Sequence, residues 1–300
     1  MAYGPPAYGA PQQPTNWLKE AFHVLLAIVL VIVVLVLLTR FQWIHCSQVP
    51  GVNWCEIYCD NIIQKSSRVA VVYDPAAAGD SIGNATLLSN ILSRRRGITL
   101  VQPYPVSQMS AGLLKSYDLV VLEQAPRLTF KQVDALLGYL DSGGTLVWVG
   151  DSASELYLSE EDLALALQRN ATEPGSYEEI VKMVNNSYGF GYFGDRALLA
   201  RFVGEVNVTE AVTLSLVDTD HPITGGIFWE FETLPMKQFA YVSENPAGVD
   251  KIAVLKYKNK EYPAILETRY AGKVVYFAYP IEATNSTSLM DNLLDYLLPC

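Results

Sequence analysis

Between Ala21 and Thr39 the chain reads AFHVLLAIVLVIVVLVLLT, nineteen residues without an Asp, Glu, Lys or Arg. No other stretch constrains the fold as strongly. As a helix rising 1.5 Å per residue it covers about 28 Å, enough for the hydrocarbon core of a bilayer. Trp17 and Trp43 bracket it, as aromatic side chains do at membrane interfaces. A cleaved signal peptide is the competing reading and fits less well. Signal cores hold roughly 7–15 apolar residues and follow a basic flank, whereas this run is longer, its flank is weakly basic and no small-x-small cleavage site follows. The sequence therefore predicts one uncleaved anchor within residues 17–44, with the membrane as a partner.

Flanking charge hardly orients the anchor, because Lys19 precedes the span and Arg40 follows it. Two other features do. Five Asn-x-Ser/Thr sequons, at Asn84, Asn170, Asn185, Asn207 and Asn285, all lie beyond the span. So do all four cysteines, Cys46, Cys55, Cys59 and Cys300, and an even count in an exterior domain suggests two disulfides. The expectation is a cytoplasmic N-terminus and a glycosylated C-terminal domain outside the cell membrane. The formal charge of −10 argues against a nucleic-acid partner. The single basic run, Arg94-Arg95-Arg96, reads as the solvated end of a helix.

Residues 1–16, rich in Pro, Gly, Tyr and Gln, should be a disordered tail. Residues 45–66 form a connector holding three cysteines, and residues 67–300 form the folded domain. There a regular alternation begins. Val69–Tyr73, Ile98–Val101, Leu119–Leu122 and Leu146–Val149 read as short buried strands. Ser81–Arg95, Met109–Lys115 and Thr129–Asp141 read as the helices between them, the last stopped by Gly143-Gly144. This pattern predicts an α/β fold with a doubly wound, mostly parallel sheet covered on both faces.

The second half changes character. Glu160–Gln168 and Tyr177–Asn185 look helical, and a Gly- and aromatic-rich stretch spans 188–194. Strand-like runs follow at Val212–Val217, Gln238–Val242, Ile252–Tyr257, Pro263–Thr268 and Lys273–Tyr279, with hairpin-like turns at Lys258-Asn259-Lys260 and Ala271-Gly272. A last helix spans Ser286–Leu298.

Four segments, in this order, resemble the class I glutamine amidotransferase-like superfamily, especially its ThuA-like and related non-catalytic branches: YDLVVLEQA (117–125), LTFKQVDALLGYLDSGGTLVWVGD (128–151), DHPITGGI (220–227) and GKVVYFAYP (272–280). The likeness covers roughly residues 68–300. It implies a flavodoxin-like sheet with appended β hairpins, and no particular activity; membrane-anchored archaeal proteins of unknown function share this look. In catalytic members the turn after the fourth strand reads Gly-x-Cys-x-Gly. Here it reads Gly150-Asp151-Ser152-Ala153-Ser154, with serine in place of both the cysteine and the second glycine. The family's catalytic histidine belongs to a His-x-Glu pattern near the chain end, and no histidine follows His221.

A serine nucleophile needs a base within hydrogen-bond reach. His23 and His45 lie at the membrane, so Ser152 could be served only by His221. The alternative is that Asp151 or Ser152 caps a turn by accepting backbone N–H groups, and that His221 braces the turn around Pro222 and Gly225-Gly226.

The crevice at the carboxyl ends of the strands is the generic ligand site of such sheets. Its expected rim, Asp74, Asp80, Glu123, Gln124, Asp151 and Ser152, is acidic and disfavours phosphate ligands. Asp74, Asp80 and Asp151 could supply oxygen ligands to a divalent cation, though solvated loop carboxylates explain them as well, and no metal site or cofactor is assigned. A glycan on Asn84 would crowd this crevice.

The last helix should return Cys300 toward the start of the first strand, near Cys55 and Cys59. A disulfide from Cys300 to either, with Cys46 taking the remaining partner, is favoured over zinc, since the spacing lacks paired Cys-x2-Cys knuckles. The leading expectation is a single-pass membrane protein presenting a non-catalytic domain that binds or scaffolds a protein, a glycan or an envelope complex, with residues 188–194 either as aromatic contact surface or as a packed loop covering the sheet edge. A serine hydrolase or amidase using Ser152 and His221, and an accessory subunit of a membrane complex, are the alternatives.

Overall fold

The computed structural model describes residues 17–40, 67–95, 97–157, 159–160, 162–164, 167–168, 189–244, 248–269 and 271–298, with single positions 44, 49, 54 and 57. The expected tail 1–16, the four cysteines and their pairing, Asn170, Asn185 and the helix expected at 177–185 lie outside the described residues, as does most of the connector. The chain divides into two units, residues 1–62 and 63–300.

In the first unit, α1 spans Trp17–Arg40. Its segment Lys19–Thr39 has a mean hydropathy of 3.3 and buries none of that apolar surface within the protein. The helix is long and apolar enough to cross a membrane.

The second unit is an α/β domain. In chain order its main elements are β1 (Ser67–Tyr73), α2 (Ala85–Leu92), β2 (Ile98–Pro105), α3 (Ala111–Leu114), β3 (Leu119–Leu122), β4 (Arg127–Thr129), α4 (Phe130–Asp141), β5 (Thr145–Val149), β6 (Glu155–Tyr157), β7 (Ala200–Asn207), β8 (Thr213–Leu216), β9 (Glu230–Glu232), β10 (Gln238–Glu244), β11 (Asp250–Tyr257), β12 (Lys260–Arg269), β13 (Lys273–Phe277) and α5 (Thr287–Leu297). Helix starts are set by local chemistry. Asn84 accepts from Leu87 N before α2, and Ser286 accepts from Leu289 N before α5. Thr129 and Gln132 form a reciprocal capping box at α4.

Nine strands form one sheet in the order β2-β1-β3-β5-β13-β12-β11-β8-β9. The first five are mutually parallel; the last four continue with antiparallel pairings. The expected appended hairpin is therefore part of the main sheet. Its turn carries Lys258 and Asn259 at φ 48° and 60°, the left-handed pair that matches strand twist in a two-residue hairpin. Strands β7 and β10 form a separate antiparallel pair, and β4 and β6 a parallel one.

Side chains alternate between two cores across the sheet. Val69, Val71, Val147, Val149, Val275 and Phe277 pack with α2 and α5. Ala70, Val72, Val120, Leu122, Trp148 and Tyr276 face the other way, toward α4. The period of two is what a pleated strand imposes. On the α4 side the described part of the Gly- and aromatic-rich stretch takes the packed one of its two readings. Phe190 and Phe193 are each 1% exposed, and their rings lie 4.6 and 4.5 Å from that of Trp148. They are core residues rather than contact surface, because burying three adjoining rings outweighs any use outside. The most exposed aromatics among the described residues of this unit are instead Phe228 and Trp229, at 84% and 63%.

Candidate functional site

The parallel strands end together, so the residues that follow β1, β3, β5 and β13 meet at one edge of the sheet, its carboxyl edge. The turn after β5 is closely packed there. Gly150 has φ 61°, and a Cβ at that position would lie 2.5 Å from the Ile82 side chain. Ser152 follows and is fully buried. Its Oγ accepts from Ala125 N at 3.2 Å, and its carbonyl accepts from Trp148 Nε1 at 2.6 Å. Ala153, at φ 58°, donates its N–H to the Ala125 carbonyl at 2.7 Å. The turn is stitched to the strand next door through both backbone and hydroxyl.

His221 lies away from this turn, in the loop after β8. Its Nε2 is 2.7 Å from Glu267 Oε2, and its Nδ1 accepts from Ile223 N at 3.2 Å. That acceptor role assigns the proton to Nε2, which donates to Glu267. Tyr296, on α5, donates to the other Glu267 oxygen at 2.6 Å. Glu267 pairs in register with Val275 in mid-sheet, whereas Ser152 lies past the end of β5. The structure brings His221 to Glu267 and Tyr296, and does not bring it to Ser152.

The expected acidic rim is also rearranged. Asp74 accepts from Ala76 N and caps a short 3-10 turn. Asp80 is exposed. Asp151, only 3% exposed, accepts from Ser81 Oγ at 2.7 Å and Ile82 N at 2.9 Å. Burial raises its pKa, while these two donors pull the other way. Gln124 sits at φ 56° with its side chain on Ala85 N. Among the described residues no group of three or more His, Cys, Asp or Glu side chains could hold a metal ion. The expected trio Asp74, Asp80 and Asp151 does not assemble, because two of its members are committed to backbone N–H groups.

What does assemble is a pair of carboxyl groups. Glu123, directly after β3, is fully buried, with the Glu282 carboxyl and the Asn84 backbone N–H as its polar neighbours. Burial and then the neighbouring Glu282 carboxylate push its pKa well above the ordinary 4.5. Burial also raises Glu282, offset in part by the hydrogen bond that Glu123 offers it. Glu123 is thus the protonated member, facing the carboxylate of Glu282. Gly83 makes room: at φ 99°, a Cβ there would lie 2.6 Å from Glu123 Oε1. Glu282 opens onto a groove of about 490 Å³ lined by Ile91, Arg95, Leu234, Ile281, Met290 and the hydroxyl-rich start of α5. The pair can hold and pass a proton, or accept donors from a ligand.

Sequence reasoning placed Glu123 on the rim and missed Glu282. The signal was present: Glu282 is the one acidic residue between β13 and α5. The three described sequons, Asn84, Asn207 and Asn285, are exposed and belong to this same edge. Gln238, in register with Asn207, donates to the Asp80 carbonyl in the loop after β1.

No protein-family model matches the sequence, and no curated protein matches it. Solved structures do. A ThuA-like protein from Bacteroides uniformis ATCC 8492 aligns with 78% of this chain and 93% of its own, at 15% identity and a TM-score of 0.51. The cold-adapted β-galactosidase from Rahnella sp. R3 aligns with 77% of this chain at 15% identity and a TM-score of 0.54. The β-galactosidase from Bacillus circulans sp. alkalophilus gives 77%, 14% and 0.53. This chain spans only 31% and 30% of those two enzymes. At such identities the likeness is one of fold, and the fold is ThuA-like.

Proposed function

We propose that the protein is a single-pass membrane protein, N-terminus in the cytoplasm, presenting a non-hydrolytic binding domain outside the cell membrane. The domain is a glycosylated member of the non-catalytic amidotransferase-like group. Its five parallel strands, ranked along the chain, run 2-1-3-4-5 across the sheet, the flavodoxin-like order. One observation carries the non-hydrolytic reading. The Ser152 hydroxyl serves Ala125 N, both His221 nitrogens serve Glu267 and Ile223, and the two side chains do not meet. A hydrolase using Ser152 and His221 would need the two within hydrogen-bond reach.

What the carboxyl edge offers instead is a concave groove beside the Glu123–Glu282 carboxyl pair, a combination that suits ligand capture. A contact with a protein partner is favoured by Phe228 and Trp229, since exposed aromatics of this size mark interaction surfaces. They lie on the loop between β8 and β9. Exterior placement is supported by the exposure of Asn84, Asn207 and Asn285. The test is protease treatment of intact cells producing the full chain with a tag at each end. The C-terminal tag is expected to be lost and the N-terminal tag retained; the reverse outcome overturns the orientation.

A further inference from the structure

The nine-stranded sheet ends at β9, which among the described residues pairs with β8 alone. Leu216 N donates to the Trp229 carbonyl, and Thr233 N to the Val212 carbonyl. In an antiparallel ladder these two bonds fix the alternation. Glu230 and Glu232 therefore turn their backbone N–H and C=O groups away from β8, toward the open edge. Phe228 and Trp229 stand at the head of this edge, 84% and 63% exposed, with Val217 at the end of the neighbouring strand at 53%. We propose that β9 is a docking edge for an extended, basic polypeptide segment, which adds a strand to the sheet and seats an apolar side chain on Phe228 and Trp229. The inference rests on the reading of these two aromatics as a protein contact, and adds the mode of binding and the chemistry of the partner.

Charge selects that partner. From Phe202 to Met236 the chain holds six acidic residues and no Lys or Arg. Asp218 and Asp220, in the loop after β8, and Glu232, on β9 itself, are exposed. Two cations come from β11, and both are taken: Lys256 pairs with Glu230 at 3.1 Å, and Lys251 with Glu244 at 2.6 Å. The edge keeps an excess of negative charge. A strand with Lys or Arg at alternate positions presents all of them on one face, and opposite charges across a ladder stabilise it. In strand addition the main-chain bonds give affinity and the alternate side chains give specificity. A short edge strand bearing carboxylates also resists indiscriminate pairing, which makes this one selective for a basic segment.

The same charge disfavours two other occupants. A second copy pairing antiparallel through β9 would set Glu230 and Glu232 against the same residues, and like charges directly opposite destabilise a ladder. A bilayer surface carries anionic headgroups, which the acidic surround repels, and its hydrocarbon offers nothing to the open backbone groups.

The full chain in non-ionic detergent micelles is titrated into fluorophore-labelled peptides, and fluorescence anisotropy is read. The peptides are Lys-Val-Lys-Val-Lys-Val, Glu-Val-Glu-Val-Glu-Val, and the lysine peptide N-methylated at every backbone amide. The expected result is saturable binding of the lysine peptide, at least about tenfold tighter than of either other peptide. Glu232→Lys should weaken it about fivefold. Phe228→Ser combined with Trp229→Ser should weaken it at least about tenfold. All three side chains are exposed, so the fold tolerates the changes. N-methylation without effect overturns strand addition. Equal binding of the glutamate peptide, still lost in the aromatic double variant, overturns the basic partner and leaves the aromatic contact. No peptide binding, or binding indifferent to the variants, overturns the proposal. In that event, self-association abolished by the aromatic double variant assigns the edge to a second copy. Quenching by brominated phosphatidylcholine that disappears in Trp229→Phe assigns it to lipid, and overturns the protein-contact reading as well.

Discussion

One residue that looks catalytic in the sequence is held in a structural hydrogen bond. Ser152 sits where an elbow nucleophile would, yet its Oγ is the partner of a buried backbone N–H. Ser152→Ala leaves Ala125 N without an acceptor, and an orphaned buried donor costs roughly 1–3 kcal/mol. Chemical denaturation should show a loss of that size, and an unchanged midpoint would contradict the assignment. Glu123 behaves in the opposite sense to a salt-bridged carboxylate. Its folded-state pKa lies above the ordinary 4.5, so its contribution to stability is present at acid pH and is lost as pH rises through the raised value. Glu123→Gln, neutral at every pH, should flatten this decline. The variant should melt higher than the parent at pH 8 and closer to it at pH 5. Equal pH dependence of the two melting curves would show that Glu123 is not held protonated.

Elements were legible where local chemistry and periodicity agreed. Helix α4 is written in the sequence by its cap at Thr129, its apolar face and the glycines after Asp141. Thr129→Ala removes one arm of the capping box and should cost about 1 kcal/mol in a denaturant titration. The buried parallel strands were legible as apolar runs. Strand β7 was not, because Gly204 and the surrounding charged residues give no strand signal; its place comes from pairing with β10. The stretch ending at Gly194 left two readings open, since aromatic side chains look alike whether they serve a surface or a core, and only the packing on Trp148 separates the two. Glu267 and Glu282 escaped for a related reason. A carboxylate inside an apolar strand, or just past one, takes its meaning from a partner distant in sequence: His221 for the first, Glu123 for the second.

At the scale of the molecule, one apolar helix and one α/β domain carry separate tasks. α1 has the length and hydropathy to cross a membrane, so the protein should stay with membranes washed at high pH. A form lacking residues 17–40 should appear in the soluble fraction; retention of the shortened form would move the anchor elsewhere. The domain concentrates its chemistry at the carboxyl edge, with the Glu123–Glu282 pair, the groove and three exposed sequons. The broad architecture could be read before the structure because alternating strands and helices restrict topology so strongly. The site could not, because a turn of elbow sequence is compatible with both a nucleophile and a buried clasp.

The most direct test of the central claim is covalent labelling of the full chain with a fluorophosphonate, which reacts with activated serine hydroxyls. The structure predicts no label on Ser152 in the folded protein, and no difference between the parent, Ser152→Ala and His221→Ala. A stoichiometric phosphonyl adduct on Ser152, lost in His221→Ala, would contradict it and restore the hydrolase.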